Sequence, residues 1–374
     1  MTATRHAEIA GAGFAGLVAA IALAQRGWSV RVHEKDPVLR AFGAGIFIWE
    51  NGLRVLRAIG AYDAVMQGAH EAIVHETRHD NRIIATLAFT PALGTRMITM
   101  TRQHLYDAIL GQAAQCGVEV ITASEAIGAT ADGTLLTADG RAHRADLVIG
   151  ADGVKSSVRD SLGLLKSRSP CADGIVRVLA PRCKDELGPG TWDHVIDFWK
   201  EDRSLRILYC PCNQHELYFA MMAPVTNLEA SAVPLRHDVW VAAFPQLEPV
   251  IRKIDAGGRY DAYETTSLAR WSSGRVAIVG DAAHAMVPTL GQGAGTAMMN
   301  ALSLAVHLDL TSSVEAALGA WEARERPLTE HTQARSDLTA RERLMATGEG
   351  WTDAALRTAR HIPTGTEALP LSIK

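Results

Sequence analysis

Residues 7–34 read AEIAGAGFAGLVAAIALAQRGWSVRVHE, and this stretch decides the fold. An apolar run, Ala7–Ala10, enters Gly11-Ala12-Gly13-Phe14-Ala15-Gly16. Phe14, Leu17, Val18 and Ile21 then recur at helical spacing, and Gly27 suits a left-handed helix stop. Ser29–His33 alternates as a second strand, with Glu34 at its end. Strand, glycine turn, helix, strand and acid together make a βαβ unit of the dinucleotide-binding kind. Gly11 permits the tight turn, Gly13 leaves room for a pyrophosphate beside the backbone, and Gly16 lets helix and strand pack closely. The helix N-terminus offers unpaired N–H groups and partial positive charge to the phosphates. Glu34 is placed to accept hydrogen bonds from a ribose diol, which favours FAD or NAD over a 2′-phosphorylated nucleotide.

The totals agree with a globular protein of more than one domain. The chain has 374 residues, 48% of them hydrophobic, and a formal net charge of −4. That length predicts two domains, and the absence of basic bias argues against a nucleic-acid partner. No apolar run reaches the roughly 18 residues of a membrane span, and the first apolar segment is the strand and helix above rather than a leader. Cys116, Cys171, Cys183, Cys210 and Cys212 are odd in number and scattered, and Cys210-Pro211-Cys212 is too close for a usual metal pair. Reduced thiols, no metal and a cytoplasmic location are expected.

Beyond Glu34 come Lys35 and Arg40, then a loop whose Gly43 and Gly45 imply close backbone approach. Arg40 could hold a phosphate or a carboxylate, or be solvated. Leu53–Ile59 reads as a short helix stopped by Gly60, with Asn51 at its start. Residues 71–95 lose the helical period and read as a strand pair. A helix opens at Thr101-Arg102 and runs to Cys116, followed by a strand over Val118–Ile121. Asp132-Gly133 and Asp139-Gly140 are hairpin turns. Ala145–Gly150 is a buried strand leading into Ala151-Asp152-Gly153 and a helix near Ser156. From about residue 166 to 267, Ile175–Pro181, His194–Lys200, Leu205–Pro211 and Glu216–Ala223 alternate as one antiparallel sheet, with a helix around Asp238–Ile254. Val276–Val279 is an apolar strand entering Gly280-Asp281. A loop with Pro288, Gly291, Gly293 and Gly295 follows, then a helix over Thr296–Leu308. Charged helices fill 314–346, and a loosely packed tail begins at Gly348.

Three glycine–aspartate elements thus follow three apolar strands. In doubly wound sheets the carboxyl ends of strands meet in one crevice, so the three turns can address one extended dinucleotide. In the inserted sheet, Arg177 and Arg206 each sit inside an apolar strand, where a charge is costly unless paired. They either face outward or clamp a substrate carboxylate. Tyr218 either packs in the sheet or hydrogen-bonds a substrate ring. His284 needs no role beyond packing, and no nucleophilic triad, catalytic carboxylate pair or metal cluster stands out.

The motifs Gly11–Gly16, Ala151-Asp152-Gly153 and Gly280-Asp281-Ala282-Ala283-His284 resemble those of the single-component flavin-dependent aromatic hydroxylases of the para-hydroxybenzoate hydroxylase type, over nearly the whole chain. Leu39–Gly45, Asn51–Leu56, Arg206–Asn213, Glu216-Leu217-Tyr218 and Tyr263–Thr266 are similar to the branch that opens the ring of 3-hydroxypyridine carboxylates (2-methyl-3-hydroxypyridine-5-carboxylate or 5-pyridoxate). The resemblance implies an α/β fold. In it, a Rossmann-like FAD-binding domain (residues 1–70, 96–165 and 268–345) carries an inserted antiparallel-sheet substrate domain of α+β type (71–95 and 166–267), with a tail over 346–374. It implies FAD at Gly11, Gly13, Ala15, Gly16, Glu34, Lys35, Arg40, Gly45 and Asp152. Arg102 would contact the flavin chain and Asp281 the ribityl hydroxyls. Gly291, Gly293 and Ala294 would face the flavin N1–O2 edge, where a helix N-terminus stabilises negative charge. Pro288 would line the pocket above C4a, with Arg206 and Tyr218 beside the reacting ring and Phe47, His75 and Arg177 completing the substrate site. Related pyridine oxygenases carry tyrosines where this chain has Phe47 and His75. The implied reaction is NADH- or NADPH-driven oxygenation by O2, through a flavin C4a-hydroperoxide, of a small aromatic acid. The ring is opened or only hydroxylated, and the cofactor carries the chemistry. An FAD-dependent dehydrogenase or oxidase and a non-enzymatic redox sensor are the competing readings, and either a monomer or a homo-oligomer fits.

Overall fold

A computed structural model describes residues 4–40, 44–255 and 258–370. Gly43 of the expected glycine loop lies outside these residues.

The βαβ unit forms as read: strand His6–Ala10, helix Phe14–Ala24, strand Ser29–His33. Around it a six-stranded sheet runs in the order Ser272–Ser273, Val276–Ile278, Leu147–Gly150, His6–Ala10, Ser29–His33, Glu119–Ile121. The first pair is antiparallel and the remaining pairs are parallel. Parallel strands are covered on both faces and so read as continuous apolar runs; Leu147, Val148, Ile149, Val276, Ala277 and Ile278 are all fully buried. Ile9 sits between Val32 and Ile149. Both Asp-Gly hairpins form, joining Ala126–Thr130, Thr134–Thr137 and Ala142–Arg144 into a three-stranded antiparallel layer. Helix Arg102–Gln115 is capped by Thr101, whose hydroxyl accepts from His104 N.

The four alternating runs pair in one sheet of seven strands. Its order is Tyr260–Leu268, Leu165–Pro181, Glu216–Pro224, Arg206–Pro211, Val195–Trp199, Val74–His79, Arg82–Ala88. The hairpin over 74–88 joins it through a parallel contact with Val195–Trp199. Strand alternation sorts the two faces. Val176, Ile207, Phe219 and Met221 pack against Trp240, Val250 and Ile251 on one side. Ile175, Leu208, Tyr218 and Ala220 face the other way, towards the glycine turns.

Several elements differ from expectation. Asp238–Ile254 is broken into His237–Ala243, a 3₁₀ turn at Pro245–Leu247 and Glu248–Ile251. Pro245 and Pro249 lack the N–H that a continuous helix needs. Asn51 is the second residue of helix Glu50–Ile59 rather than its cap. The charged segment is one helix, Val314–Arg341. The helix expected over Thr296–Leu308 begins at Gly293 and runs to Leu310. The expected loose tail is packed: Trp351, Leu356 and Ala359 are buried in a cluster with Trp49 and Met97. Arg54, buried, donates to the carbonyls of Thr366 at 2.6 Å and Leu369 at 3.0 Å. Glycine, threonine and proline wrote a loop into the sequence there, but its sparse large side chains anchor it.

Candidate active site

The three glycine turns lie on adjacent strands. Ala151 N donates to Ala10 O at 2.8 Å, Val279 N to Gly150 O at 2.9 Å, and Gly11 N to His33 O at 2.8 Å. Sheet order therefore brings together turns that begin near residues 11, 151 and 280. Arg159 fixes two of them to each other, its Nη1 donating to Val154 O at 3.0 Å and Ala282 O at 3.1 Å. This fully buried arginine was missed in the sequence, where its position in a short polar helix carries no signal.

The fingerprint glycines divide by function. A Cβ at Gly11 would lie 2.4 Å from Ala151 O, and one at Gly16 would lie 2.0 Å from Gly11 O. Both are packing requirements, and neither residue lines the cavity in front of the turns. A Cβ at Gly13 would meet nothing within 4 Å. Gly13 thus opens onto space at the head of helix Phe14–Ala24, a cradle for an anionic group. Glu34 accepts from Ala12 N at 2.9 Å and Asp36 N at 3.0 Å, bracing the turn at the end of its strand. Arg40 is exposed and is not among the described residues that line the cavity, whereas Lys35 is.

That cavity has a volume of about 1790 Å³, well above the roughly 300–1,000 Å³ of a pocket for one small ligand. Ala15, Arg102, Asp152, Asp281, Gly293 and Ala294 border it on the glycine-turn side. Asp152 is committed locally, accepting from Ser156 Oγ and Val158 N at the head of a short helix. Arg102 is enclosed, its Nε unpartnered and its guanidinium 5.0 Å from the Phe14 ring centroid. Burial lowers its pKa from the ordinary arginine value. Asp281 is exposed and lines the cavity; desolvation by the surrounding protein raises its pKa while Arg102 and Arg177 oppose the rise. Gly291 adopts φ +61°, and a Cβ there would sit 1.9 Å from Phe47 Cε2. Pro288 and Gly291 line the same cavity. Asn51 holds the loop that follows, donating to Gln292 Oε1 at 3.0 Å. An open glycine cradle, a guanidinium whose buried Nε has no partner and a helix N-terminus in one cavity fit an extended dinucleotide.

The inserted sheet closes the other side. Gly45 begins a strand, Gly45–Trp49, rather than lying in a loop, and its close neighbour is Tyr218, whose Cβ would be 2.2 Å from a Cβ on Gly45. Arg177 and Arg206 both line the cavity, which excludes the outward-facing alternative. Arg177 Nη1 donates to Asp261 Oδ2 at 3.2 Å. Arg206 Nε donates to Asp197 Oδ1 at 2.5 Å, while Trp199 Nε1 donates to the other oxygen at 2.8 Å. Burial pushes the Tyr218 phenol above its ordinary range against the pull of Arg177. Tyr263, buried beside these groups, is shifted upward by burial as well. His75 is buried, with its ring 4.5 Å from that of Trp351. Burial pulls its pKa down to about 4, so its imidazole is neutral at pH 7. Asp261 and Trp351 were given no role in the sequence, yet both line the cavity with Tyr263; Asp197 stands behind the lining as the partner of Arg206.

His284 lies outside the cavity lining, its Nε2 3.0 Å from Asn300 Nδ2 and its ring against Trp271. Among the described residues, Glu8, His33 and His143 come within metal-ligand spacing, which no sequence motif foretold because they lie on three strands. Glu8 is already satisfied there, paired with His33 at 2.8 Å and Arg31 at 3.2 Å. No helix among the described residues is long and apolar enough to cross a membrane.

Comparison with known proteins agrees with this geometry. Residues 4–335 match a family model described as an FAD binding domain. The chain is 43% identical over 330 residues to a putative 2-heptyl-3-hydroxy-4(1H)-quinolone synthase of Rhodococcus erythropolis, covering 88% of this chain and 86% of that one. It is 29% identical over 325 residues to a 6-hydroxynicotinate 3-monooxygenase of Pseudomonas fluorescens, covering 82% of this chain and 83% of that one. A solved 2-methyl-3-hydroxypyridine-5-carboxylic acid oxygenase superposes with a TM-score of 0.93 at 50% identity, over 96% of this chain and 97% of that one. The chain belongs to the FAD-binding family of single-component aromatic hydroxylases, and it is a flavin-dependent aromatic-ring monooxygenase.

Proposed function

We propose that the enzyme oxygenates a 3-hydroxypyridine carboxylate at the expense of NADH or NADPH and opens its ring. The observation that carries this reading is the pair of arginines on the cavity-facing side of the inserted sheet, each oriented by a carboxylate. A guanidinium held from behind by one carboxylate presents its remaining N–H groups in a fixed plane, suited to a second carboxylate. An alkylquinolone, the neutral ring that the quinolone synthases' name implies, would offer no second carboxylate to the N–H groups that Asp261 and Asp197 leave free; this favours the pyridine acid.

FAD, when bound, would take reducing equivalents from the nicotinamide and activate O2. The chain supplies position and electrostatics. Arg206, with Arg177, would hold the substrate carboxylate. Tyr218, kept protonated, would donate to or accept from the ring hydroxyl. Pro288, Phe47 and neutral His75 would bound the ring and exclude water. Gly13, Ala15, Lys35, Arg102, Asp281, Gly293 and Ala294 would hold the cofactor, Gly11, Gly16 and Gly45 would shape its bed, and Glu34 and Asp152 would brace the turns it rests on. A homo-oligomer belongs to this reading, since one form of the pyridine oxygenase is tetrameric; size-exclusion chromatography with light scattering tests it.

The test of function is NADH and NADPH oxidation by the holoenzyme across pyridine, benzene and quinolone substrates, with product mass read in parallel. The expected product retains both atoms of O2, gains two hydrogens and loses aromatic absorbance. A gain of a single oxygen with the ring intact makes the enzyme a simple hydroxylase. Stimulation by the quinolone alone overturns the substrate class.

A further inference from the structure

Trp351 comes from the segment after the long helix, in the stretch that composition marks as a tail, yet it borders the active-site cavity. Its indole is one ring in a continuous aromatic line. Phe47 packs on Gly291, its ring is 6.3 Å from Trp49, Trp49 is 5.0 Å from Trp351, and Trp351 is 4.5 Å from His75. The line therefore runs from the loop preceding helix Gly293–Leu310 to the strand beside Asp197 and Arg206. Two polar atoms along it, Trp351 Nε1 and His75 Nδ1, are buried without a hydrogen-bond partner. Buried polar atoms of this kind are rare and call for an explanation.

The segment is held firmly on both sides of the indole. Thr347 Oγ1 is hydrogen-bonded to Thr77 Oγ1, His331 Nε2 lies 2.8 Å from Ala354 O, and Thr332 Oγ1 lies 2.6 Å from Thr358 Oγ1. Arg360 Nε donates to Leu93 O at 2.8 Å. Such anchoring makes the indole a fixed wall rather than a mobile lid.

Resting on the reading of this cavity as the aromatic acid's pocket, we infer that Trp351 is the size-determining wall of the substrate site. It admits a single six-membered ring between itself and the arginines and excludes a fused second ring. The chemistry follows from shape: an indole held in place cannot yield to a bicycle, whereas its removal leaves an apolar space that an apolar ring can fill.

The experiment uses FAD-loaded enzyme and measures ligand affinity by perturbation of flavin absorbance. The two probes are 2-methyl-3-hydroxypyridine-5-carboxylate and a 2-methyl-3-hydroxyquinoline bearing one carboxylate. Trp351→Ala is expected to raise the affinity ratio of bicycle to monocycle by about tenfold or more, with a smaller rise in Trp351→Phe. The same shift should appear in the ratio of kcat/KM values. An equal change for both probes means that the indole only supports the fold, and overturns the inference. If Trp351→Ala loses flavin or melts, Trp351→Leu and Trp351→Phe carry the test, and no relative shift in either overturns it. The wild-type preference between the two probes tests the reading of the site itself, while the displacement of that preference in the variants tests Trp351.

Discussion

Arg206 takes its direction from Asp197, a carboxylate that no solvent reaches. A lysine at that position would keep the charge but lose the planar fork that joins Asp197 to a second acid. Arg206→Lys is therefore expected to raise KM for the aromatic acid about tenfold or more, with flavin affinity unchanged, by steady-state kinetics and flavin titration. His75 gives a pH signature. In the unfolded chain its imidazole titrates near 6.5, whereas the folded protein holds it to about 4. Between these values the unfolded state binds more protons, so stability falls as pH drops from 7 towards 4. This single group accounts for roughly 2 kcal/mol by pH 5. Urea unfolding of wild type and His75→Gln at pH 7 and pH 5 should show the variant's pH slope flattened by that amount; an unchanged slope contradicts a buried neutral imidazole. At this scale the sequence was partly legible. An arginine inside an apolar strand announces itself by its cost, but the acid that orients it lies on another strand and leaves no local mark.

Among elements, the glycine turn was the most legible because its geometry is set by local sterics. The structure adds that its glycines fail differently. Gly13→Ala meets open space at an ordinary backbone conformation. Its apoprotein should match wild type within about 0.5 kcal/mol, while flavin binding weakens at least about tenfold. Gly16→Ala drives a methyl into the Gly11 carbonyl and should destabilise the apoprotein itself by on the order of 2 kcal/mol. Urea unfolding of the apoproteins, paired with flavin titration, separates the two. The inserted strands were legible from alternation, and the hairpins from Asp-Gly. What could not be read was register: whether Arg177 and Arg206 face the cavity depends on pairings such as Arg177 with Ala220 and Arg206 with Met222. The 238–254 helix failed because its apolar spacing outweighed two prolines in the reading, while in the chain the missing donors prevailed.

For the whole molecule, the composition of the last residues misled, since a segment without regular structure can still be anchored by a few large side chains. Ending the chain at residue 346 strips Arg54 of two carbonyl partners and uncovers Trp49. That truncation should lower holoenzyme stability by on the order of 3 kcal/mol, measurable as a fall in urea midpoint; an unchanged midpoint contradicts the packed arrangement. The order of strands in the parallel sheet also governs how the protein is made. Val276–Ile278 seats beside Leu147–Gly150 only after the five strands of the other sheet that lie between them in the chain have been synthesised. During translation the edge at Leu147–Gly150 waits unpaired, a surface prone to adhere to other chains. The third glycine turn and the head of helix Gly293–Leu310 leave the ribosome last among the parts of the cofactor bed. Flavin capture is thus a late event in biosynthesis, and a nascent chain released before that point would carry both the fingerprint and the insertion yet remain colourless.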